Sequence, residues 1–482
     1  MNGIQAVYAT AVGTGTPPTL VTYTPGQNAT PPTVGAGQVG YAAITAALGG
    51  GPFTLPADVT LVDDQSSQAV TLTGGGGADQ IIRASYGDLT FNTGGGSGVV
   101  LADGSYNPAG NPNPPVTNNL ITTPAVGGGD WVFSTGAGND TISALSGNDS
   151  ISAGLGNNVI VLGSGNDQVA STGTDAINGG SGAATVTTGA NNALFFGGSG
   201  SLDFLNGSGA GTVIAASGDT TVNGGQGSVT VFGGLGNALF MGGAQGGNLL
   251  VAAQGNATLV GVTGQNELIA GGGDDAITVG PGDDTVFGGT GNSTVYGGSG
   301  NDLIVGGGGN QMVVGNGQNT VFGGTGNTTV YGGSGSDLVV GGVGAMMVAG
   351  GSSGMQVFAG PGETTVFGGT GNDIIATGSG SALVVEGGGS DLVMAGSGNA
   401  SIFGGSGSDM YEFIKNVSGG NDVIVGFKVG TDQLALLGYG SGAASAALAT
   451  ASVGGGNTLL HLTDGTQITL VGVSGLKPSA FA

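Results

Sequence analysis

The middle of the chain alternates short apolar, β-branched runs with glycine-rich polar turns at a period of nine residues. From about Ser134 to Phe413 the sequence divides almost without gaps into such units, for example GGTGNSTVY (Gly288–Tyr296) and GGSGNDLIV (Gly297–Val305). In each unit a turn precedes a three-residue strand whose central residue, nearly always Val or Ile, is expected to point inward. These central residues include Val286, Val295, Ile304, Val313, Val321, Val330 and Val339.

A longer repeat overlies the nine-residue one, because Asp283–Gly317 and Gln318–Ser352 are close copies 35 residues apart. Repetition of this kind indicates a solenoid, since no unit could bury its central Val alone and stacking supplies the core. Two units close one coil of about 18 residues, and coils stack as parallel strands about 4.8 Å apart. The predicted fold class is all-β: a parallel β-roll, or β-solenoid, of about 15 coils and some 70 Å over the repeats, with a mixed N-terminal module and a β C-terminal cap.

The distribution of proline separates the N-terminal region from the repeats. Twelve of the fifteen prolines lie between Pro17 and Pro124. This region contains a helix-like run, GYAAITAAL (Gly40–Leu48), and a linker, NPAGNPNPPVTNN (Asn107–Asn119). The predicted domains are an N-terminal capping or docking module with its Pro-rich linker (1–125), the Gly-rich repeat block (126–413) and a C-terminal cap (414–482).

Composition and charge narrow the possible partners. Glycine supplies 113 of 482 residues, which predicts a recurring tight turn that needs positive φ. The net charge is −25, and the basic residues are Arg83, Lys415, Lys428 and Lys477. Such a chain disfavours nucleic acid and anionic membranes and favours divalent cations. Cysteine is absent, no apolar run reaches transmembrane length, and the N-terminus lacks the pattern of a cleaved secretion signal.

Several units carry Asp at the sixth position, as in GGSGNDLIV, GGTGNDIIA (Gly368–Ala376) and LGSGNDQVA (Leu162–Ala170), and the ten-residue segment STGAGNDTIS (Ser134–Ser143) carries the same Gly-Asn-Asp. They resemble the RTX, or haemolysin-type, calcium-binding nonapeptide GGxGxDxUx, in which U is a large apolar residue. The resemblance covers about 280 residues. It implies that Ca²⁺ is held between turns of neighbouring coils by Asp carboxylates and backbone carbonyls, the oxygen ligands that a hard cation needs.

Transferred position by position, the resemblance implies a set of candidate metal ligands. The alternative is that these side chains only cap their own turns. The candidates are Asp79, Asp140, Asp149, Asp167, Asp175, Asp275, Asp284, Asp302, Asp337, Asp373, Asp391 and Asp409.

Departures from the motif predict where calcium lies. After Asp275 every motif Asp falls on alternate units, so calcium is expected along one edge of the roll from Asp284 to Asp409. The opposite edge, with residues such as Thr328 and Ala382, is expected to turn without metal. Between Ala176 and Ile269 the motif Asp is nearly lost, and that stretch is expected to stack without calcium.

The C-terminal segments indicate the route out of the cell. Gly419–Gly440 and Asp464–Ala482 resemble the cap and uncleaved export signal of type I secretion substrates, and Gly419–Phe427 also resembles the cap of serralysin-type RTX proteins. A capping hairpin at Asp464–Ala482 is the alternative interpretation, and the two are compatible. We therefore expect a secreted protein, extracellular or at the cell surface.

The strand positions on either side of the inward Val are apolar rather than polar. Long apolar outer faces are rare on monomers, so self-association into a homo-oligomer or polymer is the favoured interpretation. The outward residues are Phe287, Tyr296, Leu303, Val305, Met312, Val314, Phe322, Tyr331, Leu338 and Val340.

The sequence contains no recognisable catalytic motif, and its one histidine is His461. We therefore expect no enzyme. The favoured function is a calcium-dependent structural protein that self-assembles into an extracellular layer, filament or matrix, resembling RTX-rich surface-layer proteins. The alternatives are an adhesin or carbohydrate-binding module, with a cell-surface polysaccharide as its partner, and an accessory of a secreted hydrolase.

Overall fold

A computed structural model describes residues 5, 18–27, 33–76, 80–84, 86–102 and 116–482. Two features predicted from the sequence fall outside these residues. They are the candidate ligand Asp79 and residues 107–115 of the Pro-rich linker.

The chain divides into two compact units, Met1–Gln245 and Gly246–Ala482. In each unit the chain passes alternately between two parallel sheets, called here sheet one and sheet two, so that each coil contributes one strand to each. The predicted all-β parallel solenoid is confirmed, with about 21 coils in all and a spacing of about 18 residues. Strands are numbered β1 to β46 in chain order.

In the first unit the two sheets begin before the repeat block. Sheet one contains β1 (Thr19–Tyr23), β2 (Gln38–Ile44), β4 (Val59–Asp64), β6 (Gln80–Ala84), β8 (Gly98–Ala102), β10 (Trp131–Thr135), β12 (Ser150–Ala153), β14 (Asn166–Ser171), β16 (Ala183–Thr188), β18 (Leu202–Leu205), β20 (Thr220–Asn223) and β22 (Ala238–Met241). Sheet two contains β3 (Phe53–Thr54), β5 (Val70–Thr73), β7 (Leu89–Asn92), β9 (Leu120–Thr122), β11 (Thr141–Ser146), β13 (Val159–Ser164), β15 (Asp175–Asn178), β17 (Ala193–Phe196), β19 (Gly211–Ile214) and β21 (Val229–Phe232).

The second unit has the same alternation of strands within itself and ends in antiparallel strands. Sheet one contains β24 (Ala257–Val260), β26 (Asp275–Thr278), β28 (Ser293–Tyr296), β30 (Gln311–Gly315), β32 (Thr328–Gly332), β34 (Met346–Ala349), β36 (Thr364–Gly369), β38 (Ala382–Gly387), β40 (Ala400–Phe403), β42 (Asn421–Val425), β44 (Ser452–Gly454), β45 (Asn457–His461) and β46 (Gln467–Val471). Sheet two contains β23 (Leu249–Val251), β25 (Glu267–Ile269), β27 (Thr285–Phe287), β29 (Leu303–Val305), β31 (Thr320–Phe322), β33 (Leu338–Val340), β35 (Gln356–Phe358), β37 (Ile374–Ala376), β39 (Leu392–Met394), β41 (Met410–Ile414) and β43 (Gln433–Leu437).

The core is a row of central strand residues from successive coils. Val286 pairs with Ile304 one coil later and Ile304 with Val321, so the inward side chains stack directly on one another. All seven inward residues predicted from the repeat are buried, none more than 2% exposed. Each short strand is therefore stabilised by its neighbours along the solenoid rather than by its own turn.

The repeated glycines have two causes. Some have the positive φ expected from the sequence, as at Gly369 (108°) and Gly407 (139°). In the second unit, Gly289 and Gly307 have no positive φ. A Cβ placed on Gly289 would overlap the carbonyl oxygen of Gly271, and one on Gly307 would overlap that of Gly289. Stacked turns approach too closely for any side chain at Gly289 and Gly307, so at these two positions glycine is required by contact between coils.

The N-terminal region differs from its predicted form in one respect. The helix-like run Gly40–Leu48 lies mostly in β2, followed by a 3₁₀ turn at Ala46–Leu48. Ala42 and Ile44 are buried while Tyr41 and Ala43 are only partly so, which is the period-two burial of a strand. The strands here stack in the same sheets as the first repeats, since β8 pairs with β10. The domain boundaries at residues 125 and 413 stay a prediction.

The solenoid ends in a β cap. Strand β46 continues sheet one in parallel with β42, and β45 and β44 then add antiparallel. The α-helix Ala443–Ala449 (α1) has seven residues. Among the described residues, no helix has the length and hydropathy needed to span a bilayer.

Candidate calcium sites

One buried residue precedes each sheet-two strand of the second unit, and strand register places these residues directly above one another. None is more than 6% exposed. We call this set the carboxylate column: Asn248, Asn266, Asp284, Asp302, Asn319, Asp337, Met355, Asp373, Asp391, Asp409 and Asp432.

The side chains of the column are joined through the backbone of the preceding coil. Oδ1 of Asp302 accepts a hydrogen bond from the backbone N–H of Asp284 at 3.0 Å. In the same way Oδ1 of Asp391 accepts from Asp373 at 2.8 Å, and Oδ1 of Asp409 accepts from Asp391 at 3.1 Å. One oxygen of each carboxylate therefore fixes the stacking of two coils.

The second carboxylate oxygen distinguishes two groups of aspartates on the edges of the roll. In Asp275 and Asp284, Oδ2 accepts the N–H of Gly271 (2.7 Å) and of Gly280 (3.2 Å), four residues earlier in the same turn. These two side chains cap their own turns, as the alternative interpretation proposed. In the second group Oδ2 is buried without a hydrogen-bond partner, and its members are Asp140, Asp149, Asp302, Asp373, Asp391, Asp409 and Asp422. Asp167 and Asp337 belong to neither group, and nor does Asp175, whose Oδ2 accepts from the hydroxyl of Ser171 at 2.5 Å.

The second group fits the ligand chemistry of calcium. A buried carboxylate oxygen without a partner is costly, and a hard cation that accepts oxygen ligands would satisfy it. Steps with two such residues in consecutive coils are Asp373–Asp391 and Asp391–Asp409. The residues that would hold Ca²⁺ there are these aspartates, and the ion would neutralise their charge and join the coils.

The opposite edge of the same coils is different. At the equivalent position of the sheet-one edge, which is the first residue of each strand, the side chains between Asp275 and Asp422 are equally buried but uncharged. The structure thus places the aspartates from Asp284 to Asp409 on one edge, as the alternate-unit pattern predicted, while their occupancy by calcium stays a prediction. We call the uncharged set the neutral column: Ser293, Gln311, Thr328, Met346, Thr364, Ala382 and Ala400.

The first unit distributes its carboxylates over both edges. Asp140 and Asp175 lie on the sheet-two edge with Asn158 between them. Asp149 and Asp167 lie in consecutive coils on the sheet-one edge, where Oδ1 of Asp167 accepts the N–H of Asp149 at 3.0 Å. Later coils of the sheet-two edge replace the carboxylate with Ala193, Gly211 and Val229. This stretch stacks with apolar residues in the equivalent position.

The burial of the edge aspartates disfavours their unneutralised carboxylate form and favours a bound cation or proton. Burial raises the pKa of Asp149, Asp373 and Asp422 from 3.8 to about 7. It raises that of Asp302 and Asp391 to about 6, and the neighbouring carboxylate adds to both shifts. The ion pair among the described residues is Arg83–Asp63 (2.7 Å), far along the chain from the column. No basic side chain neutralises the column within the part of the chain that the structure describes.

Sequence reasoning missed several members of these edges. Asn266 and Asn319 occupy the Asp position of the motif, which their register shows. Their backbone N–H groups donate to Asp284 and Asp337 in the same chain of hydrogen bonds. Asp422 follows a Gly-Gly-Asn, a recognisable motif fragment, whereas Asp432 lies in no nonapeptide and only the fold places it. Glu386 carries no motif signal beyond replacing a glycine.

Together, the parallel coils and the column of buried carboxylates define the class of calcium-binding β-solenoids. A family model described as RTX calcium-binding nonapeptide repeat (4 copies) matches residues 66–84, 134–169, 214–248, 251–286, 278–310, 313–345, 358–381 and 387–412. The chain belongs to the RTX-repeat proteins, whose nonapeptides bind calcium.

Other comparisons add little to this assignment. No curated protein sequence matches the chain. Among solved structures, the extracellular lipase LipA from Serratia marcescens matches with 16% sequence identity and a TM-score of 0.17. The match covers 42% of this chain and 40% of the lipase.

Proposed function

We propose that the protein is secreted and acts as a calcium-dependent structural protein, which self-assembles into an extracellular layer, filament or matrix. The observation that supports this proposal is the pair of apolar rows on the outer faces of the second unit. Calcium would hold the coils of the solenoid together, and the outer rows would join one molecule to another.

Each row alternates an aromatic residue with a smaller aliphatic one in successive coils. In sheet two Phe287 pairs with Val305, and Val305 with Phe322. In sheet one Tyr296 pairs with Val314, and Val314 with Tyr331. The aromatic rings therefore recur at every second coil, about 9.6 Å apart. The rows continue through Val340 and Phe358 in sheet two, and through Ala349, Phe367, Val385 and Phe403 in sheet one.

The aromatic side chains of the rows face solvent in the isolated chain. The exposed fractions are 36% for Phe287, 47% for Tyr296, 40% for Phe322 and 41% for Tyr331. Rings separated by smaller residues leave recesses in which the rings of a second row fit. Burial of such a strip contributes roughly 25 cal/mol per Å² of apolar surface. A second copy of the chain is the occupant that matches, because it presents the same strip with the same spacing.

The test compares assembly with and without the aromatic rings. Simultaneous change of Phe287, Tyr296, Phe322 and Tyr331 to Ser is expected to leave calcium-induced folding largely intact and to abolish large assemblies. Light scattering and electron microscopy in millimolar calcium measure assembly, and circular dichroism measures folding. The matched control changes Thr285, Thr294, Thr320 and Thr329 to Ser, because these residues lie in the same four strands and on the same faces.

A wild-type chain that stays monomeric at high concentration in millimolar calcium would overturn the structural role. The same rows would then favour an adhesin or carbohydrate-binding module, which binding assays on cell-surface polysaccharides measure.

We also propose that the protein is not an enzyme. His461 lies in β45, at a mainly apolar cavity of about 460 Å³ in the cap. The carboxylate near this cavity, Asp464, accepts hydrogen bonds from the hydroxyl of Tyr439 at 2.6 Å and from the backbone of Asn416 at 3.0 Å. Assays of the full chain against ester, peptide and glycoside substrates test this proposal, and hydrolysis that His461→Ala abolishes would contradict it.

A further inference from the structure

Glu386 is an exception to the repeat. In the nonapeptides of the carboxylate column, the first position is occupied by glycine in the units of Asp302, Asp337, Asp373 and Asp409, and by Glu386 in the unit of Asp391. Glu386 belongs to β38, where Ala382, Val384 and Glu386 are the buried residues of an alternating strand. A carboxylate therefore ends a row of side chains that points into the solenoid.

The first position of the nonapeptide faces its own Asp. A Cβ placed on Gly332 would lie 2.5 Å from Oδ2 of Asp337, and one on Gly297 would lie 3.0 Å from Oδ2 of Asp302. A side chain at this position is thus directed towards the second oxygen of the motif aspartate. In the unit of Asp391 that side chain is itself an oxygen donor.

Three carboxylates meet at this point of the column. One carboxylate oxygen from each of Glu386, Asp391 and Asp409 lies within 4.8 Å of the other two, and all three residues are buried. Glu386 is fully buried, and Asp391 and Asp409 are 2% exposed.

Hydrogen bonds fix these carboxylates while leaving one oxygen of each open. Oε2 of Glu386 accepts from the hydroxyl of Tyr411 and from the backbone N–H of Gly405, both at 3.1 Å. The Oε1 atom of Glu386 and the Oδ2 atoms of Asp391 and Asp409 are buried without a hydrogen-bond partner.

No neighbouring group supplies the missing positive charge. Tyr411 is a neutral donor, because burial and the adjacent Glu386 raise its pKa. Lys428 donates through Nζ to the carbonyl oxygen of Gly405 at 2.5 Å rather than to a carboxylate. Asp432, the next column residue, adds a further negative charge beside Tyr411. Three buried carboxylates with open oxygens and no basic partner match the ligand set of an oxygen-preferring divalent cation.

We propose that Glu386, Asp391 and Asp409 form a three-carboxylate calcium site that binds more tightly than the two-carboxylate steps elsewhere in the column. The proposal rests on the proposed binding of calcium by the column and adds a ligand from outside the Asp position. Its physical basis is ligand charge, since the affinity of an oxygen site for Ca²⁺ rises with the number of carboxylates. The side chain is already held by Tyr411 and Gly405, which reduces the entropy lost on binding.

The test measures calcium binding of the full chain by isothermal titration calorimetry, with terbium luminescence as a second readout. Glu386→Gln keeps the size of the side chain and removes its charge. It is expected to weaken the tightest site by about tenfold or more while the other sites are retained. Terbium bound at this site is expected to emit on excitation of Tyr411, and Tyr411→Phe is expected to remove that emission while calcium binding remains.

Controls separate the site from general effects of charge and folding. Glu412→Gln removes the same charge from the next residue after Tyr411, on the partly exposed side of β41, and is expected to leave the tightest site unchanged. Glu386→Gly restores the residue that other units carry and is expected to reproduce the loss if Glu386→Gln disturbs folding, which circular dichroism monitors. An unchanged tightest affinity in both Glu386 variants, with calcium binding otherwise intact, would overturn this inference alone. A wild-type chain that binds no calcium would overturn the proposed calcium dependence as well.

Discussion

The two edges of the second unit belong to the same coils but place different types of residue in the same buried position. On the sheet-two edge the residue before each strand is most often an aspartate, and on the sheet-one edge the first residue of each strand between Asp275 and Asp422 is Ser, Gln, Thr, Met or Ala. Both positions are buried, and both sets of strands pair in register from coil to coil.

This difference between the edges shows that the chain can turn between strands without a carboxylate in the buried position. On the neutral column, Met346 and Ala382 fill the position by apolar packing. On the carboxylate column, Asp373 and Asp391 fill it with groups that are costly to bury unless an ion or proton neutralises them. We therefore expect the carboxylate column, unlike the neutral column, to need neutralisation by calcium or protons.

Removal of calcium should change the structure of the second unit more than any substitution considered below. With a chelator, the buried carboxylates of Asp284 to Asp432 repel one another, and the coils of the second unit are expected to lose most of their strand structure. Circular dichroism with EGTA, followed by calcium titration, measures the loss and its recovery. Hydrogen exchange is expected to show greater protection in Ala193–Met241, where the sheet-two edge has apolar residues. Equal loss of protection in both stretches would contradict the role assigned to the carboxylate column.

Substitutions on opposite edges should sharpen the comparison within single coils. Asp302→Ala, Asp373→Ala and Asp391→Ala are each expected to lower the calcium stoichiometry by about one ion, because each removes an open carboxylate oxygen. Thr328→Ser and Ala382→Ser, on the neutral column, are expected to leave the stoichiometry unchanged. Equilibrium dialysis measures the bound ions, and equal losses from both edges would show that the assigned edge is wrong.

Protonation of the buried carboxylates at low pH should partly stabilise the fold when calcium is absent. The pKa values of Asp149, Asp373 and Asp422 are about 7 in the folded chain against 3.8 for an unperturbed Asp. Because the folded form binds protons more tightly, the free energy of unfolding without calcium is largest at low pH and falls as the pH rises from about 4 through about 7. In EGTA, circular dichroism is expected to show more strand structure at pH 5 than at pH 8, and the structure that remains is expected to melt at a higher midpoint at pH 5. A midpoint that rises with pH would contradict this assignment.

The smallest effect should come from the aspartates that cap their own turns. Both oxygens of Asp275 are hydrogen-bonded, to the N–H groups of Ala257 (2.8 Å) and Gly271 (2.7 Å). Asp275→Asn is expected to destabilise the fold by about 1–3 kcal/mol, through the loss of charge-assisted hydrogen bonds, and to leave calcium stoichiometry unchanged. Asp373→Asn is the matched comparison, since its Oδ2 has no partner. A lower stoichiometry in Asp275→Asn would place a metal ligand where the structure shows a turn cap.

The sequence by itself determined the coil, its inward residues and the edge on which the aspartates fall. The nine-residue period alone assigns Val286 and Ile304 to the core, because side chains in a strand alternate and two units close one coil. The same counting places Asp302 and Asp391 on one edge, since alternate units return to the same side.

Only the tertiary structure decided what each of these positions does. Glycine is needed at Gly289 because the carbonyl of Gly271 lies in the adjacent coil, a contact 18 residues away that no local pattern contains. The distinction between Asp284, which caps its turn, and Asp302, whose second oxygen is open, depends on the orientation of one carboxylate. Glu386 becomes a candidate ligand because stacking brings it to Asp409, and proximity between coils is a property of the fold rather than of any single repeat.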